Sequence, residues 1–240
     1  MRILLTGATG YIGKMTLPVL LEQGHEVICC VRNKDRFESP GMHGDKLQLL
    51  EVDFLEEESL EKIPDNIDAA YYLIHSMSST TGDFDRLEKI SAENFSNRMN
   101  RTRVQQVIYL SGIINEDKLS KHLSSRRDVE NILGEGRYVL TTLRAGIVVG
   151  AGSASFEIIR DLVEKLPVMV APRWLNTRAQ PIAIRNVVQF LTGVLFHPDT
   201  YRKSFDIGGP EVLSYRQMLL KYARSRSLRR FIGVIPVMTP

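Results

Sequence analysis

The stretch TGATGYIG at residues 6–13 constrains this chain more than any other part of its sequence. It directly follows a short apolar run, RILLT, and opens a helical pattern that Gly24 ends. Gly7, Gly10 and Gly13 fall at a G-x-x-G-x-x-G spacing. Between a strand and a helix, one such glycine makes the bend, one admits the backbone to a pyrophosphate, and one lets the helix pack closely. The amino end of the helix adds partial positive charge.

The position of this glycine pattern predicts a dinucleotide site, because a strand precedes it and a helix follows it. A plain glycine-rich turn without a ligand is the alternative. The residues that we expect to bind the dinucleotide here are Thr6, Gly7, Thr9, Gly10, Tyr11, Ile12 and Gly13.

The first 150 residues alternate between strand-like apolar runs and amphipathic helical patterns. The strand-like runs lie at 2–6, 25–32, 46–54, 68–77, 104–112 and 137–150. The helical patterns lie at 11–23, 83–101 and 120–133. This alternation predicts βαβ units with right-handed crossovers. The expected fold is therefore α/β and Rossmann-type, a doubly wound parallel sheet with helices on both faces.

The rhythm changes after Gly150, where short pieces are separated by prolines and glycines. We expect a dinucleotide-binding core over residues 1–150 and a small substrate-pocket lobe over residues 151–240. The lobe is interleaved with the core and covers the carboxyl edge of the sheet. Pro181 and Ile182 are expected to line its pocket. The chain stops on an apolar run, FIGVIPVMTP, for which a truncated carboxyl terminus is one explanation.

Composition narrows the classes of function. A formal net charge of +3 in 240 residues argues against nucleic acid as the main partner. No stretch approaches the roughly 18 apolar residues of a membrane span. The adjacent Cys29 and Cys30 suit neither a metal site nor a disulfide, so we expect no metal and a reducing, cytoplasmic compartment. The hydrolase patterns Gly-x-Ser-x-Gly and His-Glu-x-x-His are absent.

The end of the second strand indicates which dinucleotide is preferred. An acidic residue there would bind the ribose 2′-hydroxyl of NAD, but this chain has Arg32, followed by Lys34 and Arg36. A guanidinium at this place can bind a 2′-phosphate, so we expect a preference for NADP(H), with NAD(H) still possible. Asp35 argues in the other direction, and a solvated strand end is the alternative role of Arg32.

Polar residues also follow the later strands at the same predicted edge. Asp53 and Phe54 end the third strand, and the Asp53 carboxylate could reach an adenine amino group; a cap of the next helix is the equal alternative. His75 ends the fourth strand and Ser111 the fifth. We expect Asp53, Phe54 and His75 to bind the dinucleotide and Ser111 to orient a carbonyl. His75 could equally be a polar strand end, and Ser111 an ordinary turn residue.

Several of these stretches resemble a known superfamily. TGATGYIG, VDF, YLSG and the later GGP are similar to motifs of extended and atypical short-chain dehydrogenases/reductases. LRAGIVVGAGSASFEIIRDLVEKLPVM, PRW, QPIAIRNV and FDIGGPEVLSY resemble the NmrA-like NAD(P)H-binding subgroup, whose members are described as nucleoside-diphosphate-sugar epimerases. The resemblance covers nearly the whole chain and implies a Rossmann fold with a pyridine dinucleotide.

The resemblance also implies where a catalytic set would stand. Enzymes of the superfamily carry a serine at the end of strand five and Tyr-x-x-x-Lys on the next helix. With Ser111 as that serine, the matching places hold His122 and Arg126. An imidazole can donate a proton near neutral pH, and Arg126 could hold ribose hydroxyls. The alternative for both is a solvated face of a polar helix.

Two further positions follow from the same likeness. Arg144 is expected near the nicotinamide, with an ion pair at a loop as its alternative. Asn94 is expected to order water or backbone near the site, with a solvated position as its alternative.

Two functions remain open on the sequence alone. One is an NAD(P)H-dependent oxidoreductase or epimerase-like enzyme that moves hydride to or from a carbonyl or a quinone, with a degenerate Tyr-x-x-x-Lys site. The other is a non-catalytic NADP(H)-binding redox sensor or assembly factor. The expected partners are a dinucleotide and a small-molecule substrate, in a monomer or a homodimer. The basic run KYARSRSLRR makes contact with a membrane surface a weaker possibility.

Overall fold

A computed structural model describes residues 1–39, 41, 44–74, 84–113 and 121–235. The chain divides into two compact units. The first contains residues 1–144 and 188–206, and the second contains residues 145–187 and 207–240. The expected boundary at residue 150 and the role of the second unit as a substrate lobe stay predictions.

The first unit is built on a seven-stranded sheet. Its strands are β1 (Arg2–Leu5), β2 (Glu26–Val31), β3 (Leu47–Glu51), β4 (Ala69–Tyr72), β5 (Gln106–Gly112), β6 (Val139–Ala145) and β11 (Lys203–Ile207). Their order across the sheet is β11-β6-β5-β4-β1-β2-β3. The pairs β1–β2, β1–β4, β2–β3 and β4–β5 are all parallel. The predicted Rossmann-type α/β fold is therefore confirmed.

The connections between these strands are helical, as the alternating pattern predicts. They include α1 (Tyr11–Glu22), α2 (Phe84–Met99), α3 (Lys121–Gly134) and α5 (Ile184–Gly193). Short 3-10 helices occupy 34–36, 44–46, 57–62 and 198–200. Each central strand is buried on both faces: all four residues of β4, for example, are buried. This is why the strands appear in the sequence as continuous apolar runs.

Two strand segments differ from the sequence-based expectation. The run 137–150 is one strand-like stretch in the sequence, but β6 ends at Ala145 and a separate strand, β7 (Val148–Val149), follows. Gly146 lies between them, and a glycine weakens a strand interior. Lys203–Ile207 forms the seventh strand of the main sheet, although it lies within the region expected to form the lobe. Its pairing with β6 joins residues far apart in sequence, which local patterns do not encode.

Aromatic rings fill the core between the sheet and α2. Phe95 is fully buried, and its ring centroid lies 4.8 Å from that of Tyr72, with an interplanar angle of 62°. Tyr72 also meets Tyr109 across β4 and β5, at 5.8 Å. Edge-to-face geometry of this kind stabilises aromatic pairs beyond their buried area.

A buried amide ties the far side of the same sheet to the chain after α5. Gln106 is fully buried, and its Nε2 donates to Thr141 Oγ1 on β6 and to the carbonyl of Val194, each at 3.0 Å. Its Oε1 accepts from the backbone N–H of Phe196 at 2.6 Å. Both N–H groups of this amide and one lone pair of its oxygen are thereby satisfied, which makes burial of the side chain tolerable.

The second unit has its own small core. Its elements are α4 (Ala154–Lys165), α6 (Tyr215–Ser225), β7, β8 (Val168–Pro172), β9 (Arg178–Ala179), β10 (Ile182–Ala183), β12 (Leu213–Ser214) and β13 (Phe231–Ile235). Parallel β8 and β13 cover α4 and α6 with buried Met169, Ala171 and Ile232. Ser214 begins α6 with a capping box that includes Gln217.

Within the described residues, no helix is long and apolar enough to cross a membrane.

Arg98 is the charged residue on which the first unit depends most clearly. Its side chain is 6% exposed, its Nε donates to the carbonyl of Leu60 at 3.1 Å, and its Nη2 donates to the carbonyl of Ile63. Nη2 also pairs with Asp65 Oδ1 at 2.6 Å. One side chain of α2 thus satisfies the carbonyls of the 57–62 helix and the turn that follows it.

We expect Arg98→Met to lower the free energy of unfolding by about 3 kcal/mol, because it leaves two carbonyls and one carboxylate without their buried partner. Urea unfolding followed by circular dichroism measures this. Arg101→Met is the matched control, since Arg101 is half-exposed and pairs with Glu61 at the surface; its cost should stay below about 1 kcal/mol. Equal costs for the two variants would show that Arg98 is not an anchor.

Candidate functional site

The turn between β1 and α1 is packed so closely that two of its glycines exclude any side chain. Gly7 has a φ of +66°, and a Cβ atom there would lie 2.4 Å from the carbonyl oxygen of Leu73. A Cβ on the buried Gly13 would lie 2.3 Å from the carbonyl oxygen of Gly7. These contacts are with backbone, which cannot move aside cheaply. Gly7 and Gly13 therefore hold the turn against β4 and the helix against the turn.

Gly10 differs from the other two glycines. It is exposed, has an ordinary φ of −77°, and its Cβ would meet only the Gly7 oxygen, at 3.2 Å. It is the N-cap of α1 and gives that helix no side-chain cap, and no acidic residue stands in the first turn. An uncapped helix start with exposed backbone attracts an anion. The neighbouring Thr9 is exposed, and Tyr11 and Ile12 are partly buried.

Thr6 performs a structural task inside the sheet. Its hydroxyl donates to the carbonyl of Tyr71 at 2.9 Å and accepts from the N–H of Leu73 at 3.0 Å. The side chain is fully buried. Thr6 thereby joins β1 to the end of β4 just below the turn, and its hydroxyl is already engaged there.

A group of exposed cations surrounds the end of β2. Arg32, Lys34 and Arg36 are all exposed. Asn33 Oδ1 accepts from the N–H of Asp35 at 2.7 Å and so starts the short helix 34–36. The parallel register of β2 and β3 sets Val31 opposite Glu51, which brings Arg32 and Asp53 to the same edge.

Lys14 adds a cation that the sequence analysis did not single out. It lies on the first turn of α1, and its Nζ pairs with Glu38 Oε2 at 2.9 Å. The hydrogen bond and the charge of Lys14 lower the pKa of the exposed Glu38 carboxyl. The sequence could have indicated this cation, because Lys14 directly follows Gly13 and must therefore lie near the start of α1. The pair links α1 to the segment after β2.

Asp53 and Phe54 have local partners at the end of β3. Asp53 Oδ1 accepts from the N–H of Leu55 at 3.0 Å, which is a local turn contact; the following 57–62 helix has Glu56 as its N-cap and no side-chain cap. Phe54 is 6% exposed, and its ring lies 6.0 Å from that of Phe95 in the core. Asn94 Nδ2 donates to the Phe54 carbonyl at 2.9 Å, and therefore orders backbone at this edge.

Ser111 is buried at the carboxyl end of β5, with 3% of its surface exposed. Its hydroxyl has no partner in hydrogen-bond geometry among the described residues. The phenol of Tyr109 lies two residues earlier on the same strand face. Burial raises the pKa of Tyr109 to about 12, although nearby Ser111 and Arg126 act in the opposite direction. Tyr109 thus stays protonated at neutral pH.

Arg126 of α3 lies directly against the end of β5. A Cβ atom on Gly112 would come within 2.6 Å of its Nη1, so the glycine makes room for the guanidinium. The structure therefore brings Ser111, Gly112 and Arg126 together. His122 is on α3 one turn before Arg126, but its side chain lies outside the described residues, as does the whole of His75.

Arg144, near the end of β6, is held by a residue that sequence reasoning missed. Glu130 of α3 accepts from its Nε at 3.1 Å and from its Nη2 at 2.8 Å, and also from Ser204 Oγ at 2.6 Å. The Glu130 side chain is 11% exposed. The ion pair that was the alternative for Arg144 is thus present. Glu130 lies four residues after Arg126 and so on the same helix face, which was the available signal.

Pro181 and Ile182 lie in the second unit. Ile182 is buried and pairs with Val148, and the Pro181 carbonyl accepts from the N–H of Gly209 at 3.0 Å. Their expected place in a substrate pocket stays a prediction.

Comparison with known proteins identifies the kind of domain that this turn belongs to. Residues 7–147, more than half of the chain, match the model of a family described as NAD(P)H-binding. The chain belongs to this NAD(P)H-binding family. The match begins at Gly7 and ends just after β6, so it contains the glycine turn and the strand ends from Arg32 to Arg144.

Individual relatives are more distant. Cinnamoyl-CoA reductase 1 of Petunia hybrida is 26% identical over 141 residues, which are 55% of this chain and 40% of that protein. The chain therefore matches less than half the length of this curated relative.

Solved structures share the fold along nearly the whole chain. A UDP-glucose 4-epimerase of Thermotoga maritima has a TM-score of 0.81 at 15% identity, over 100% of this chain and 87% of its own. A short-chain dehydrogenase/reductase superfamily protein of Agrobacterium tumefaciens with bound NAD has a TM-score of 0.77 at 16% identity, over 98% and 85%. The expected likeness to this superfamily is confirmed for the fold.

The glycine turn makes a prediction for stability. Gly7→Ala should lower the free energy of unfolding by roughly 3 kcal/mol, because it forces a left-handed φ on alanine and a Cβ onto the Leu73 carbonyl. Gly10→Ala should cost about 1 kcal/mol or less, since that position is exposed and has an ordinary φ. Paired urea titrations measure the difference. A Gly7→Ala variant as stable as Gly10→Ala would contradict the packing described for the turn.

Proposed function

We propose that this NAD(P)H-binding protein is an oxidoreductase or epimerase-like enzyme that uses NADP(H), and NAD(H) more weakly, to transfer hydride to or from a carbonyl or quinone substrate. The observation that carries the proposal is the uncapped start of α1, with Gly10 exposed and Gly7 and Gly13 closing the turn behind it. Such a turn presents backbone N–H groups and a helix dipole to a pyrophosphate. The glycine cradle thus fits a dinucleotide.

The preference for NADP(H) rests on the charges at the end of β2. Arg32 is exposed at the place where NAD-binding domains carry a carboxylate, and no ion pair involving Arg32 is found in the described part of the chain. Lys14 supplies a second cation from the start of α1, at present paired with Glu38. A 2′-phosphate with about two negative charges would pair with both cations, whereas the 2′-hydroxyl of NAD would not.

When bound, the nicotinamide gives up or accepts hydride at C4 as the substrate is reduced or oxidised. In this chain Ser111 would orient the substrate oxygen, and His122 would supply the proton that this oxygen takes up on reduction. Arg126 cannot release its proton, so it would hold ribose hydroxyls and favour neutral His122 by its charge. Arg144, fixed by Glu130, would border the nicotinamide. Among these substrates, a quinone depends least on a strong acid from the protein, so it suits the residues Ser111, His122 and Arg126 best.

A redox sensor or assembly factor is the second candidate. Two observations favour it: His122 and Arg126 replace Tyr-x-x-x-Lys, and Ser111 is buried, with only 3% of the residue exposed. A protein of this kind would bind NADP(H) and change shape without turnover.

The proposal also includes the NmrA-like subgroup and a cytoplasmic location. Cys29 and Cys30 support that location, since both are buried free thiols. Burial raises the pKa of the Cys29 thiol to about 12, which keeps it protonated and unreactive. Sugar nucleotides enter as possible substrates because the epimerase of Thermotoga maritima was solved with UDP-glucose.

Arg32→Gln tests the choice of cofactor. We expect the Kd for NADPH to rise about tenfold or more, since a charge-assisted hydrogen bond to the 2′-phosphate is lost, while the Kd for NADH changes less than about twofold. Fluorescence titration with each coenzyme measures both values. Arg103→Gln, a matched loss of an exposed arginine before β5, should change neither. Tighter binding of NADH than NADPH by the unaltered protein would refute the NADP(H) preference.

His122→Phe tests the enzyme against the sensor. With NADPH and a panel of quinones, aldehydes and nucleotide sugars, we expect kcat to fall about 100-fold for an aldehyde and less for a quinone, at unchanged Kd for NADPH. Absorbance of the reduced nicotinamide follows the reaction. His197→Phe is the control, because His197 is exposed after α5. Unchanged rates would remove His122 from the mechanism, and binding without turnover across the panel would favour the sensor.

A further inference from the structure

The first unit contains a cavity of about 580 Å³. Among the described residues, its lining includes none of those that we propose to bind the dinucleotide. Its walls come from the last turns of α3, the first half of β6 and the start of β11. This volume is within the range of small-molecule sites.

The floor of this cavity contains a hydroxyl that lacks a partner. Thr142 of β6 lines the cavity and is 1% exposed, and its Oγ1 has no hydrogen-bond partner among the described residues. Burying a hydroxyl without a hydrogen-bond partner costs free energy. The neighbouring Thr141 avoids this cost, because its Oγ1 accepts a hydrogen bond from Gln106. Leu140 and Tyr138 complete an apolar floor, and the Tyr138 hydroxyl is already bonded to Ser96. A ligand that accepts from Thr142 would remove the cost.

The wall at β11 is basic. Arg202 and Lys203 line it, and both are exposed. Arg202 has a φ of +54°, a left-handed conformation that is unfavourable for a residue other than glycine. Its backbone N–H donates to the Leu140 carbonyl at 2.7 Å, which fixes the strained residue at the cavity. Strained residues held in this way are concentrated at ligand sites.

The acidic residues of the lining do not cancel this basic wall. Glu130 also lines the cavity, but its charge is balanced by Arg144 at 2.8 Å. Glu135 is the remaining carboxylate of the lining, against the two cations Arg202 and Lys203. With the Glu130–Arg144 pair neutral, the remaining charged residues of the lining sum to one positive charge, beside an apolar floor and an unpartnered hydroxyl.

We propose that this cavity binds a small organic oxyanion, a carboxylate or a phosphate monoester with a compact apolar body. The oxyanion would pair with Lys203 and Arg202 and accept from Thr142 Oγ1, while the apolar body would cover Leu140 and Tyr138. The site does not require the proposed dinucleotide function, because the two share no lining residue in the described part of the chain.

Calorimetric titration of the full chain with benzoate and with phenyl phosphate tests the site. We expect saturable 1:1 binding of at least one probe, and about tenfold weaker binding after Thr142→Val and after Lys203→Gln. Lys46→Gln, which removes an exposed lysine at the other end of the sheet, should leave binding unchanged. Thr142→Val should also keep or raise the unfolding midpoint, because it removes an unpaired buried hydroxyl, so a loss of binding cannot be ascribed to misfolding.

The outcomes separate the two sources of the oxyanion. Stronger binding of benzoate supports a carboxylate ligand, and stronger binding of phenyl phosphate supports a phosphate ester. The proposal is overturned if neither probe binds saturably, or if Thr142→Val binds as the unaltered protein does. It is equally overturned if Gly10→Ala abolishes probe binding while Lys203→Gln does not, since the probe would then occupy the glycine turn.

Discussion

The close approach of the β1–α1 turn to the end of β4 is the contact on which the rest of this protein depends. Gly7 lies so near the Leu73 carbonyl that only a glycine, in a left-handed conformation, fits. Thr6 fixes the same two strands from below by bonding to Tyr71 and Leu73. Because the turn is held at its base, Gly10 and the start of α1 keep the geometry on which the proposed dinucleotide site rests.

The strand ends beside this turn are fixed in a similar way, by side chains from neighbouring elements. Asn94 holds the Phe54 carbonyl after β3, Arg126 fills the space that Gly112 leaves after β5, and Glu130 binds Arg144 near the end of β6. A parallel sheet brings all these ends to one edge. The proposed hydride chemistry thus needs little rearrangement of the described side chains, and its weak point is chemical: Ser111 is buried and Tyr-x-x-x-Lys is replaced.

Local patterns in the sequence predicted most of the first unit, since buried parallel strands are apolar runs and helices are periodic. They failed where partners are distant in sequence. Lys203–Ile207 joins β6 across about 60 residues, and Glu130 meets Arg144 only because α3 crosses the sheet. The sequence also did not predict that the Thr6 hydroxyl bonds within the sheet or that the Phe54 ring packs in the core; the expected part of both residues in dinucleotide binding stays a prediction. Residue type and position along the chain could not show this, because neither reveals which side of the edge a side chain faces.

Calorimetric titration of NADPH into the unaltered protein and into Gly10→Ala tests the central claim most directly. Gly10 is exposed, and a methyl group there would have only the Gly7 oxygen within 4 Å, at 3.2 Å, so we expect this variant to keep the fold and to obstruct the pyrophosphate. The account predicts 1:1 binding by the unaltered protein and at least about tenfold weaker binding by the folded variant. Equal affinity in both proteins, or no heat with either NADPH or NADH, would contradict it.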